Sequence, residues 1–182
     1  MKNVSTRLLL SCAAIGVAGG LLFIVNAYLG GTVNAVLPVL YGVTLGVYFV
    51  PGAMAQALFR RGGVALLVAV LAGLVSAAFQ PLGFGAALIA VGIGLVQELP
   101  FAVLRYRRWP VWLFVVGAAV SGVVLAVGMY RLVGARDLDA AGTAVLLAGS
   151  FASPVLFTLL ALALARALAA TGVTRGLAPA RR

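Results

Sequence analysis

Histidine is absent from the 182-residue sequence, cysteine occurs once, as Cys12, and there are three acidic residues, Glu98, Asp137 and Asp139. Each shortage closes off a class of chemistry. Without histidine there is no imidazole metal ligand and no Ser-His or Cys-His nucleophile. A lone cysteine makes neither an intrachain disulfide nor a thiolate cluster. Asp137 and Asp139 stand beside Arg136, and a calcium-type site needs more oxygen ligands than that stretch offers, so a solvated turn is expected there. The chain carries no P-loop, no G-x-S-x-G and no metalloprotease helix, so nucleotide hydrolysis, enzymatic activity, a bound metal and a cofactor are not expected of it. Charge of either sign is scarce, at 9% of residues against about a quarter in a soluble domain.

What the sequence has is apolar surface, 64% of its residues. A soluble fold of this size cannot bury that much, and a disordered chain would not carry it. A membrane-crossing helix needs roughly 20 mostly apolar residues. Six segments approach that length, at about 8–28, 37–59, 63–80, 85–104, 111–130 and 143–165. They are apolar on all faces rather than alternating, which argues against strands. The expected fold is an all-α integral membrane protein, one domain over 1–182 folded as a six-helix bundle, with a basic, frayed tail at 166–182. Gly30-Gly31-Thr32, Arg60-Arg61-Gly62-Gly63, Gln80-Pro81-Leu82-Gly83, the basic aromatic stretch Arg105–Pro110 and residues 131–142 are the expected breaks.

The net charge of +10 suggests nucleic acid until the basic residues are placed. With the N-terminus inside, one side of the membrane holds Lys2, Arg7, Arg60, Arg61, Arg105, Arg107, Arg108, Arg166, Arg175, Arg181 and Arg182. The other holds Arg131 and Arg136. Eleven against two is a positive-inside pattern, with N-in and C-in termini for six spans. The charge is therefore read as topology, and nucleic-acid binding is not expected. Lys2 and Arg7 before an apolar run resemble a cleaved leader, but that run continues to Ala27, so a retained first span with a buried Cys12 is expected.

Small residues recur at helical spacing: Ala14 with Ala18 and Gly16 with Gly20 in the first span, Ala86-Ala90-Gly94 in the fourth, Gly117-Ser121 in the fifth and Ala161-Ala165-Ala169 in the sixth. Such spacing lets helix backbones approach closely, inside the bundle or against another subunit. Glu98 is the one carboxylate within a predicted span, where a charge costs ~2.5–3.5 kcal/mol on insertion scales. It is either a ligand contact or a salt-bridge partner of Arg105, seven residues on and on the same helical face. Pro100 frees the Val96 carbonyl from its helical donor. Asn26, Tyr28, Asn34, Tyr41, Gln80, Ser150 and Ser153 fall towards the outer half, where amide and hydroxyl groups suit a heterocyclic ligand. Tyr28, Tyr130, Trp109 and Trp112 are equally explained as interfacial anchors.

Four segments carry a resemblance. Leu40-Tyr41-Gly42-Val43, Val50-Pro51-Gly52, Phe59–Leu66 and above all Glu98–Trp109 resemble the YkoE-type family. These are substrate-binding S components of energy-coupling factor (ECF) transporters, associated with thiamine and its hydroxymethylpyrimidine precursor. The resemblance implies a multi-pass protein of a prokaryotic cytoplasmic membrane that captures a small vitamin from outside. A transmembrane T component and two cytosolic ATPases would then drive its import. It matches Glu98 to the family's intramembrane glutamate and Ala14 and Ala18, with Gly16 and Gly20 in register, to the docking motif for the T component. With Asn26, Asn34, Tyr41, Gln80 and Ser150, Glu98 makes up the expected substrate set. The sequence departs from the family where an acidic residue in span three is replaced near Ala69, which weakens the case for a thiazolium cation and leaves a neutral pyrimidine or another vitamin-like molecule as the expected ligand. The alternatives are a small lipid-acting membrane enzyme and a non-catalytic assembly protein.

Overall fold

The computed structural model describes residues 5–131 and 138–172. Lys2, Arg136, Asp137, Arg175, Arg181 and Arg182 lie outside the described residues. Within them the chain is helical, in the order α1 (Thr6–Val36), α2 (Tyr41–Thr44), α3 (Val50–Phe59), α4 (Val64–Ala77), α5 (Phe84–Val103), α6 (Val111–Met129) and α7 (Ala140–Ala170). Two 3₁₀ stretches, Pro38–Leu40 and Leu45–Phe49, flank α2.

Among the described residues five segments are long and apolar enough to cross a membrane: α1, the broken run Pro38–Phe59, α5, α6 and α7. The third expected span is instead the 14-residue α4, about 21 Å long at 1.5 Å per residue, continued by a turn towards Gln80. That is shorter than a hydrocarbon core of ~30 Å.

Several expected boundaries move. The Gly30-Gly31-Thr32 break does not occur, and α1 runs through it to Val36. Thr32 donates its hydroxyl to the Tyr28 carbonyl at 3.0 Å, inside the helix. Gly30 is buried against Thr44 and the Tyr41 ring. The helix stops instead at Leu37 (φ −139°), since the residue before a proline is driven out of the α region and Pro38 follows. At the other end of the chain α7 begins at Ala140 and continues to Ala170, so the first residues of the expected frayed tail, Arg166 among them, are helical. Asp139 is less a solvated turn residue than the N-cap of α7, accepting from the Gly142 N–H at 2.8 Å.

The helices pack in a closed order. Helix α4 lies between α1 and α5, α6 lies between α5 and α7, and the broken second segment fills the space between α7 and the α1–α4 pair. Missing side chains make this closeness possible. A Cβ on Gly16 or Gly20 would come within 2.6 Å of Leu71 or Val75 on α4. One on Gly73 or Gly94 would meet α5 or α4 at 2.8 Å, against Ala90 and Ala69. Cys12 is fully buried with Leu8, Leu58, Phe59 and Val68.

Candidate ligand-binding site

The second segment is where the backbone departs from α-helix inside the bundle. Non-helical backbone at membrane depth survives only where protein or a water-filled cavity satisfies its polar groups. Three neighbouring helices do so here. From α1, Asn26 Nδ2 donates to the Thr44 carbonyl at 3.1 Å. From α5, Gln97 Nε2 donates to the Phe49 carbonyl at 2.8 Å. From α7, the Ser153 hydroxyl donates to the Val43 carbonyl and accepts from the Gly46 N–H at 2.8 Å. Gly42 and Gly46 turn their bare backbone to α7. A Cβ at Gly42 would stand 2.6 Å from the Leu146 carbonyl oxygen, and one at Gly46 would overlap the Ser153 backbone.

Where this segment meets α1, polar groups gather. Asn26 is buried, and Tyr41, Thr44 and Tyr48 are half-buried. The Asn26 amide also engages the Tyr48 hydroxyl. The Tyr48 ring meets Phe23 edge-on, with centroids 4.8 Å apart. Gly30 lets α1 approach, since a Cβ there would lie 3.2 Å from Thr44 Oγ1 and 3.4 Å from Tyr41 Cε2. One amide, two phenols and a threonine hydroxyl beside aromatic faces are groups that orient a small heterocycle.

The structure divides the expected site residues. Asn26 and Tyr41 belong to this cluster. Ser150 is fully buried on the α7 side, donates to the Leu146 carbonyl at 2.8 Å and packs on Gly42. Asn34 is exposed on the last turn of α1. Gln80 lies past the end of α4, beside Tyr28, which donates to the Phe79 carbonyl at 2.9 Å. Gln80 Nε2 is buried and has no partner among the described residues.

Glu98 stands apart from all of these, 14 residues along α5 from Phe84, ~21 Å by helical rise. Its Oε1 accepts from the Ala65 N–H at 2.8 Å. The N-cap of α4, Gly63, has no side chain to offer, so the carboxylate caps that helix from a neighbour and meets its positive dipole end. Of the two readings of Glu98, the ion pair with Arg105 does not form. Helix α5 ends at Val103, and Arg105 turns away with φ 50°, which cancels the seven-residue facing. Among the described residues no partner of normal hydrogen-bond geometry reaches Glu98 Oε2. Tyr106 lies nearest to it electrostatically: burial first, then the negative charge of Glu98 and a phenol-to-carboxylate interaction, raise the phenol's pKa above its ordinary value. Replacing Glu98 by alanine is expected to cost about 1–3 kcal/mol by stranding the Ala65 N–H. Glu98→Gln, which keeps the acceptor, is expected to cost less. The temperature at which Cys12 becomes reactive to a thiol dye measures both, because that thiol is shielded until the bundle opens.

The two small-residue pairs of α1 also separate. Gly16 and Gly20 are buried against α4 and are not available to a partner, whereas Ala14 and Ala18 are exposed. Sequence reasoning missed Thr44, Tyr48 and the anchoring role of Gln97. The first two carried a signal, lying three and seven residues beyond Tyr41. A central pair, Gln56 and Gln97, was also missed. Gln56 Nε2 donates to the Gln97 carbonyl at 3.2 Å, beside a cavity of about 10 Å³, about the room of one water.

Comparison with known proteins locates this architecture. No curated protein matches the sequence. A solved crystal structure of an S component of an ECF transporter superimposes with TM-score 0.84 and 21% sequence identity, over 96% of this chain and 90% of that one, which establishes a common fold. Residues 8–124 match the family described as "ABC-type cobalt transport system, permease component". That match takes in α1, the broken second segment, α4, α5 and much of α6, so the chain belongs to this family of membrane components of ABC-type transport systems.

Proposed function

We propose that this chain is the substrate-binding S component of an ECF importer, embedded by six spans with both termini inside. In this reading α4 and its following turn make the third of the six crossings, and the basic residues of the Arg60–Gly63 and Arg105–Pro110 turns lie on the inner side. A small vitamin or precursor of the thiamine or hydroxymethylpyrimidine type is captured from outside. A T component and two ATPases supply the energy.

The observation that carries this reading is the broken second segment, braced by Asn26, Gln97 and Ser153 and bordered by Tyr41, Thr44 and Tyr48. Interrupted helices are where membrane transporters place their ligands, because unwound backbone and half-helix ends supply polar groups in an apolar setting. Neutral amides and phenols suit an uncharged pyrimidine. A bare cobalt ion suits them poorly: neutral phenols and amides are weak metal donors, and the sequence has no histidine and one buried cysteine. The reading of a lipid-acting enzyme gains nothing from Glu98, whose bonded oxygen serves as a helix cap.

The test is reconstitution. Vesicles containing this chain, a T component and both ATPases should accumulate a labelled pyrimidine or thiamine-type compound only with internal ATP. Uptake that does not require this chain would refute the assignment.

A further inference from the structure

A second site lies at the Glu98 end of the bundle, and it does not depend on the transport reading. The connection from α5 to α6 is held in shape from below. The Tyr106 ring sits on Gly62, where a Cβ would come within 2.8 Å of the ring. Trp109 stacks on the buried Phe101, with centroids 4.6 Å apart and planes inclined by 22°. Arg105 and Tyr106 both adopt positive φ, 50° and 56°, which folds the connection tightly. With Tyr106 and Trp109 turned inward, Arg105, Arg107 and Arg108 are left exposed, and none has an acidic partner among the described residues. They wall an open cavity of about 830 Å³ together with Trp109 and Trp112.

Directly beside this cavity runs a groove of about 350 Å³ between α5 and α6, lined by Leu99, Val103, Leu104, Trp112, Val116 and Val120. Val103, Leu104 and Trp112 wall both spaces, so the cationic cavity adjoins the apolar groove. A positive-inside signal requires only basic residues in a turn. It requires neither a shaped cavity nor an apolar groove beside it.

We propose that this bipartite surface holds one anionic phospholipid, its phosphate among Arg105, Arg107 and Arg108 and an acyl chain in the α5–α6 groove. Guanidinium groups match phosphate geometry in pairs of parallel hydrogen bonds. Basic pockets of this kind beside membrane helices take anionic headgroups. The indole of Trp112 stands at the junction, the level at which amphipathic rings favour the membrane interface.

The experiment is native mass spectrometry of the purified full chain, delipidated and then offered phosphatidylglycerol or phosphatidylcholine of equal chain length. Phosphatidylglycerol should be retained one per chain and phosphatidylcholine released. Each of Arg105→Gln, Arg107→Gln and Arg108→Gln should weaken retention about fivefold, the attraction of one basic group for an anionic lipid. Arg131→Gln, beyond the far end of α6, should leave it unchanged. Val116→Trp, which fills the groove at an exposed position, should weaken retention with all three arginines intact. Equal retention of the two lipids would overturn the proposal. So would retention that survives Val116→Trp, which would mark a site for an anion alone. Arginine variants that keep the lipid would also overturn it.

Discussion

Gly46→Ala should lower the unfolding temperature of this protein by on the order of 10 °C. The added methyl group would be driven into the Ser153 backbone, which cannot swing aside as a side-chain tip can. Overpacking of a filled site costs about 1–3 kcal/mol, and a backbone obstacle puts this substitution at the upper end. A chain of this length loses roughly 2–4 °C per kcal/mol. The change would also pull the Gly46 N–H and the Val43 carbonyl away from Ser153, loosening the segment that borders the candidate ligand site. Cys12, fully buried and the one thiol in the chain, provides the readout by its reaction with a fluorogenic maleimide on heating. Gly31→Ala is the matched control, since nothing lies within 4 Å of the Cβ it would add. Equal unfolding temperatures for the two variants would show that α7 does not press on the broken segment as described.

If the chain works in the proposed importer, Ala14→Trp is expected to reduce ATP-driven uptake at least tenfold while leaving ligand affinity unchanged. Ala14 and Ala18 face outwards from α1, where an indole adds bulk without disturbing the bundle. It would hold a docking helix away from the close approach that small residues allow. Gly16→Leu should behave oppositely: its Cβ would press on Leu71 of α4, so the Cys12 unfolding temperature and ligand binding should fall together. Full transport by Ala14→Trp would remove this face from the docking surface. Lost binding with normal assembly would move it to the ligand site.

These contrasts show which features a sequence exposes and which it hides. Helices α5 and α6 lie within a residue of their expected limits, because uniform apolar runs closed by Gly83, the Arg105–Arg108 cluster and Pro110 leave one solution. The end of α1 was misjudged because two glycines read as a break, whereas in a tightly packed helix Gly30 serves close approach to Tyr41 and Thr44. The broken second segment was invisible because α and 3₁₀ geometry differ little in sequence preference. Hydrogen bonds from Asn26, Gln97 and Ser153, on three other helices, brace it.

The candidate site was half legible for the same reason. Polar residues stand out within apolar runs, and Asn26, Ser150 and Glu98 were found that way, although Gln56 and Gln97, equally buried, were not. Their partners were not, because partnership depends on how helices turn. Glu98 illustrates this: Arg105, the ion-pair partner that its spacing offered as one alternative, leaves the helix with φ 50°, and the partner found is a backbone N–H 33 residues earlier, at Ala65.

The most direct test of the central claim is equilibrium binding to the purified chain without its transport partners, measured by calorimetry. The ligands are thiamine, hydroxymethylpyrimidine and other water-soluble vitamins, with Co²⁺ offered in parallel. The account predicts saturable one-to-one binding of an organic compound from this panel and no stoichiometric uptake of Co²⁺. Stoichiometric Co²⁺ binding, with none of the organic compounds bound, would contradict it.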